Sequence, residues 1–389
     1  MVANDWLEHA VSSPVLFVTN DFGPRAGGIE TFVIGLIQRR PHGQTIVYTS
    51  AQENSELYDA DWLANYGVRV IRDRAKILLP TPRVSSQLKK IIRDQRITTA
   101  AFGAAAPLGL LAAGMKRAGV VRTVALTHGH EVWWAKVFPF KLLLRRIGST
   151  VDVLTYLGDF TRKAIAKGLS DKAQRSMVKI APGIDVNHFI PTDASKLRKS
   201  LGLSDKKVIV SVGRLVHRKG QDHLIEAMPA ILKAVPTAHL LLVGQGPYRE
   251  YLQKLVTKYG LEDSVTFIGR IHYADLPQYI CVGDIFAMPS RSRLMGLEVE
   301  GLGIVYLEAS SCGLPVLAGS SGGAPDAVVQ TETGLVVDGT DNKQIAAAAV
   351  ELLTNSDLAK RMGIAGRQWI IDNWRWEIWS KDFEDLLGK

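Results

Sequence analysis

The sequence predicts an α/β protein made of two doubly wound domains, and three observations support this. The chain has 389 residues, 47% hydrophobic and 22% charged, enough for two buried cores and too apolar for long disorder. Short β-branched runs alternate with helical stretches, and the alternation runs through the chain twice. Between the two series, residues 181–193 read APGIDVNHFIPTD, with two prolines and no period, which is the texture of a linker.

The elements follow in order. A strand over 15–19 stops at the loop DFGPRAGG, and a helix over 29–40 comes next. Further strands are expected at 45–48, 68–71, 98–102, 123–127 and 151–157, with helices such as 83–95 between them. Continuous apolar runs of this kind suit a parallel sheet covered on both faces. After the linker come strands at 207–212, 238–243, 265–268, 285–288, 315–318 and 334–336. Helices are expected from Asp222, near 248–259, over 304–312, and from Asn342 and Asp357. The closing segment carries Trp369, Trp374, Trp376 and Trp379, too apolar for a free tail, and should pack on a domain surface. The expected division is a Rossmann-like domain over 1–190, a second over 191–370 and a final helix over 371–389. Ligands of such folds bind at the carboxyl edges of the strands, here a cleft between two sheets.

Composition narrows the setting. Cys281 and Cys312 are too few for a disulfide framework or a four-thiolate zinc site, which suggests a reducing compartment. The start, MVANDWLEHA, lacks the basic-then-apolar profile of a signal peptide. Residues 100–115 are apolar but broken by glycines and Pro107, and a membrane span needs ~20 residues. A soluble protein is expected. Residues 1–190 hold 25 Lys and Arg against 15 Asp and Glu, a net of +10, whereas 191–389 hold 22 against 23. The excess positive charge therefore points to an anionic partner of the first half: nucleic acid, a lipid surface or a phosphorylated substrate.

Three constellations carry chemistry. Gly23, Gly27 and Gly28 precede a helix, whose free N–H groups can meet a phosphate. In VGRLVHRKGQDHLIEA, Arg214 and Lys219 sit on a loop after a strand, a fork of donors and a mobile point charge suited to a diphosphate. The third is EGLGIVYLEASS, where Glu300 and Glu308 lie eight residues apart. On one helix that spacing means a net turn of about 80° and a rise of about 12 Å. Placing Glu300 in the glycine loop and Glu308 in the following helix spreads two hydroxyl acceptors along an extended ligand. The GQG at Gly244–Gly246 lacks the third glycine of a dinucleotide fingerprint, which disfavours a dehydrogenase.

The stretch from Glu300 to Glu308 resembles the E-x7-E motif of the family-four retaining glycosyltransferases, which have the GT-B fold of two Rossmann-like domains. The Gly27–Gly28 loop, the Arg214 and Lys219 pair and HGHE at 128–131 follow in that family's order, and the similarity covers nearly the whole chain. RSRLMGLEVEGLGIVYLEAS and HGHEVWW most resemble the GDP-mannose-dependent α-mannosyltransferases that extend phosphatidylinositol mannosides.

The resemblance implies a set of roles. Arg214 and Lys219 bind the donor pyrophosphate, helped by backbone at Gly27 and Gly28. Glu308 takes the ribose hydroxyls, and Glu300 the donor sugar beside the backbone of Gly301, Leu302 and Gly303. Arg270 and Ile271 occupy the nucleobase position. His128 stands at the reacting end, with His130 the other candidate, and Gly322–Gly323 fall in a neighbouring loop of no assigned role. The final helix crosses back to the first domain. No metal is expected: the one DxD, Asp59 and Asp61, reads as a solvated helix start. The expected partners are GDP-mannose and an anionic inositol lipid, with no nucleic acid, and the sequence leaves the oligomeric state open. The protein is expected to be cytoplasmic and peripheral to the inner face of the plasma membrane. Lys89, Lys90 and Arg93 on a helix face shared with Arg96, together with Trp133 and Trp134, are expected to meet the membrane and acceptor. Two alternatives are another nucleotide sugar with a soluble acceptor, and a non-catalytic basic protein. The second has no use for the Glu300 and Glu308 pair.

Overall fold

The structure, a computed structural model, describes residues 13–24 and 27–388. In the first domain β1 (Val15–Val18), β2 (Thr45–Thr49), β3 (Arg69–Arg72), β4 (Thr99–Phe102), β5 (Arg122–Ala125), β6 (Val153–Tyr156) and β7 (Met177–Lys179) make one parallel sheet. Their order is β3-β2-β1-β4-β5-β6-β7. In the second domain β8 (Lys207–Val212), β9 (Ala238–Val243), β10 (Val265–Gly269), β11 (Ile285–Met288), β12 (Val316–Gly319) and β13 (Gly334–Val337) pair in the order β10-β9-β8-β11-β12-β13. Strand order reverses at β1 and at β8, so the loops after these two strands are where a ligand crevice opens.

Helices cover both faces. The helices that position the site are α1 (Gly28–Gln38), α2 (Glu56–Tyr66), α3 (Pro82–Asp94), α4 (Glu131–Lys136), α5 (Phe140–Thr150) and α6 (Asp159–Ala166) in the first domain. In the rest of the chain they are α7 (Ile304–Ser311), α8 (Ser356–Asn373) and α9 (Trp376–Gly388). On one face of the first sheet, α3 buries Val84, Leu88 and Ile91, and α5 buries Leu144 and Ile147, in one shared core. On the other, α1 packs beside α9, which brings Phe383, Leu386 and Leu387 under the sheet. Arg122 Nε donates to the Leu386 carbonyl at 2.9 Å, and the Arg39 guanidinium lies 4.5 Å over the Trp376 ring. The closing helix thus belongs to the first domain's core.

The chain passes between the domains twice, side by side. Ile184 on the outward pass pairs with Arg375 on the return, and its N–H donates to the Trp374 carbonyl at 2.7 Å. The domains also touch across the cleft. Asp326 accepts from the Phe160 N–H at 3.1 Å, at the start of α6, and Lys136 Nζ donates to the Gly296 carbonyl at 2.8 Å.

Two details differ from expectation. Strand β7 is three residues long, too short for a sequence period to show. Helix α3 ends at Asp94, and Arg96 lies beyond it at φ +51°, so Arg96 does not share the face that exposes Lys89, Lys90 and Arg93. Among the described residues, no helix is long and apolar enough to cross a membrane.

Candidate active site

The cleft holds a cavity of about 570 Å³ with one wall from each domain. On the first wall, α1 points its N-terminus inward through Gly28, Ile29 and Glu30. The first N–H groups of a helix have no partner inside it, and Gly27 at the N-cap has no side chain to offer them, while the Glu30 carboxylate of the first turn folds back against Gly27. A positive helix end therefore faces the cavity, a ready anion site.

The loop after β5 brings His128, Gly129 and His130 to the same wall. His128 Nε2 hydrogen-bonds the Gly103 carbonyl, and a carbonyl only accepts, so Nε2 carries the proton and Nδ1 stays an acceptor. Burial pushes the His128 pKa down, which keeps the ring neutral. Glu131, fully buried, accepts from the His128 N–H at 3.0 Å and lies 3.2 Å from His130 Nε2. Both histidines line the cavity with rings 6.3 Å apart, so both stay in contention for the reacting end.

On the second wall, the loop after β8 presents Arg214 and Arg218. Lys219 lies beneath them, buried, with Nζ 2.8 Å from Glu300 Oε2, and Arg218 Nε is 3.9 Å from the same oxygen. Burial pushes the Glu300 carboxyl up, but Lys219 and Arg218 outweigh it and hold the pKa below its ordinary value. Gly301, Leu302 and Gly303 line the cavity between Glu300 and α7. A side chain on Gly301 would come within 2.7 Å of the His128 carbonyl across the cleft, so glycine lets the two walls meet. Gly322–Gly323 acquires a role here. The Gly323 N–H donates to the Glu300 carbonyl at 2.8 Å, and a Cβ on Gly323 would stand 2.1 Å from the Gly301 carbonyl. This loop is the seat on which the Glu300–Gly303 loop rests.

Glu308 sits one turn inside α7, buried and, like Lys219, off the cavity wall, and no described donor reaches its Oε2. Burial raises its pKa from 4.5 to about 7, with Lys219 offsetting only part. The folded protein thus keeps a proton that the unfolded chain releases above pH 4.5, so stability falls as pH rises from there to about 7. The loss is about 3 kcal/mol once Glu308 is ionised. Glu308→Gln removes the titration and keeps the shape. Its Tm should gain on the unsubstituted protein between pH 5 and 8, and an unchanged Tm difference across that range would refute the assignment.

Several expected site residues stand elsewhere. Lys219 is an ion-pair partner of Glu300 under the cavity wall, and Arg218, adjacent to it and unmarked by the motif, takes the open position. Arg270 is exposed and Ile271 half-buried just past β10, and neither is on the cavity wall. Trp133 lines the cavity, but Trp134 is a core residue packed 5.1 Å from Phe140, so it cannot meet a membrane. Asp59 is held by Arg72 through two bonds of 2.7 Å, and Asp61 accepts from Asn65 at 2.7 Å, both within α2. Gly244 and Gly246 pack against backbone at Gly213 and Leu215, a structural use of the GxG.

Comparison with known proteins places the chain in a family. Residues 193–369 match the family model described as "Glycosyl transferases group 1". A "GDP-mannose-dependent alpha-(1-6)-phosphatidylinositol monomannoside mannosyltransferase" of Mycolicibacterium smegmatis is 44% identical over 96% of this chain and 98% of its own. The "GDP-mannose-dependent monoacylated alpha-(1-6)-phosphatidylinositol monomannoside mannosyltransferase" of Corynebacterium glutamicum is 41% identical over 97% and 98%. Among solved structures, Anabaena HepE in complex with UDP superposes with a TM-score of 0.81 at 20% identity, over 96% of this chain and 99% of that one. Relatives 41–44% identical over nearly the whole of both chains, together with the match over 193–369, show that the chain belongs to the group 1 glycosyltransferases.

Proposed function

We propose that the protein transfers mannose from GDP-mannose to a phosphatidylinositol mannoside, with retention at the anomeric carbon and without a metal ion. The observation that carries this reading is the pairing of walls: Arg214, Arg218 and the Lys219–Glu300 pair on one side, the α1 N-terminus and neutral His128 on the other. The relatives' names supply the donor and acceptor.

In this reading the diphosphate lies between Arg214, Arg218 and the helix end. The bond from the anomeric carbon to the phosphate oxygen breaks, and negative charge gathers on the departing diphosphate. Fixed cations and helix N–H groups stabilise that charge without reorganising. The acceptor hydroxyl oxygen bonds to the same face of the sugar, and its proton passes to the departing phosphate oxygen. Glu300 accepts from the donor sugar's hydroxyls, Glu308 from the ribose, and His128 Nδ1 accepts at the sugar end. The acceptor lipid is met at an anionic membrane surface, with the protein bound peripherally.

Turnover with GDP-mannose and extracted phosphatidylinositol mannosides should persist in excess chelator. Loss of turnover in chelator, restored by a divalent ion, would refute the charge-based mechanism. The same assay run with other nucleotide sugars and soluble acceptors tests the donor and the lipid.

A further inference from the structure

We propose that the mouth of the cleft is a docking face for an anionic lipid bilayer, built by both domains. It has one apolar tip at Leu294 and Met295 and another at Phe138 and Leu142. The proposal rests on the lipid-acceptor reading and adds the surface that would bring the cleft to its substrate.

The side chains concerned are unusually bare: Met295 is 97% exposed, Phe138 77%, Leu294 64% and Leu142 55%. Single exposed apolar residues are ordinary, but a gathered patch marks an interaction site. The Lys136 contact with the Gly296 carbonyl ties the segment that carries Phe138 and Leu142 in one domain to the segment that carries Leu294 and Met295 in the other. Leu297, next along the second tip, already lines the cavity, so the patch opens onto the site.

The second tip is held out by its own base. Arg293 and Glu298 close the loop with backbone bonds of 2.8 and 3.2 Å and an ion pair of 2.9 Å. Leu294 and Met295 then turn through φ +50° and +53°, a left-handed conformation that is costly for residues with side chains. That strain presents two apolar side chains to water and contributes nothing to either core. A partner that buries them gives it a use.

Charge identifies the partner. On α5, Lys141, Leu142, Arg145 and Arg146 are exposed together, a spacing that puts them on one helical face. In the same helical layer α3 exposes Lys89, Lys90 and Arg93. Apolar tips flanked by cations suit insertion into an anionic bilayer. A second copy of the chain would set these like charges against each other. Because the tips come from different domains, a bilayer that takes both holds the cleft closed over its surface.

The test is cosedimentation with vesicles of phosphatidylcholine alone and of phosphatidylcholine mixed equally with phosphatidylinositol. The protein should bind the mixed vesicles, and binding should fall with salt. Leu294→Ser combined with Met295→Ser should weaken binding about tenfold or more, as should Phe138→Ser combined with Leu142→Ser. Both variants should keep their Tm and their transfer to a deacylated, water-soluble phosphatidylinositol mannoside. Undiminished vesicle binding by both variants overturns the proposal, as does self-association in solution that the same substitutions abolish. Tip-dependent vesicle binding without mannosyl transfer to any acceptor supports the docking face and ends the functional reading instead.

Discussion

Replacing Lys219 with alanine should lower kcat by roughly two to three decades, because it removes a fixed positive charge beneath Arg214 and Arg218, the cations that meet the departing diphosphate. The same substitution should destabilise the fold. Lys219 and Glu300 are both buried and 2.8 Å apart, and removing one partner of such a pair costs about 3–5 kcal/mol because the other charge is left stranded. The two effects separate in a second variant. Combining Lys219→Ala with Glu300→Gln removes the stranded charge, so much of the Tm should return while kcat stays low. Chemical denaturation and steady-state kinetics on both variants make the check. A near-normal kcat for Lys219→Ala would mean that Arg214 and Arg218 suffice for the diphosphate and that Lys219 only anchors Glu300.

Gly323→Ala should cut turnover about a hundredfold and also lower the Tm. The added methyl would stand 2.1 Å from the Gly301 carbonyl, so the Glu300–Gly303 loop must move off its seat. A displacement of about 1 Å at a positioning element is enough for a loss of about 10². Gly323 is buried beside the core residues Leu302 and Ala324 and the clash is with backbone, so the Tm should fall as well, and kcat is read on the folded protein below that Tm. Normal kcat would show that the loop is free to shift, and the seat described for it would be wrong.

How much of this was legible in the sequence depended on the range of the cause. Strands β8, β9 and β11 coincide with their apolar runs because a strand buried on both faces writes itself as an uninterrupted run. Glu300 in a loop and Glu308 in a helix followed from the glycines between them. What stayed hidden came from distant pairings. Nothing near Lys219 in sequence says that Glu300 lies beside it, or that this leaves the open position to Arg218. Trp133 and Trp134 look alike in sequence, yet α4 turns one to the cavity and the other to the core. The strain at Leu294 and Met295 depends on a loop closed by Arg293 and Glu298, which no local pattern announces.

The place of α9 has a consequence for how the protein is made. Phe383 lies 6.0 Å from Phe17 of β1, and Glu384 is ion-paired with the nearly buried Arg40, so the first domain's core is finished by a helix translated after the second domain. About 200 residues separate β7 from α9, which at roughly 5–20 residues per second is a wait of roughly 10–40 s. During it the sheet face reserved for α9 is uncovered while the second domain is synthesised and can fold by itself. Order of synthesis is thus the reverse of order of completion. The nascent first half, with its apolar face open, is the species for which a chaperone would compete.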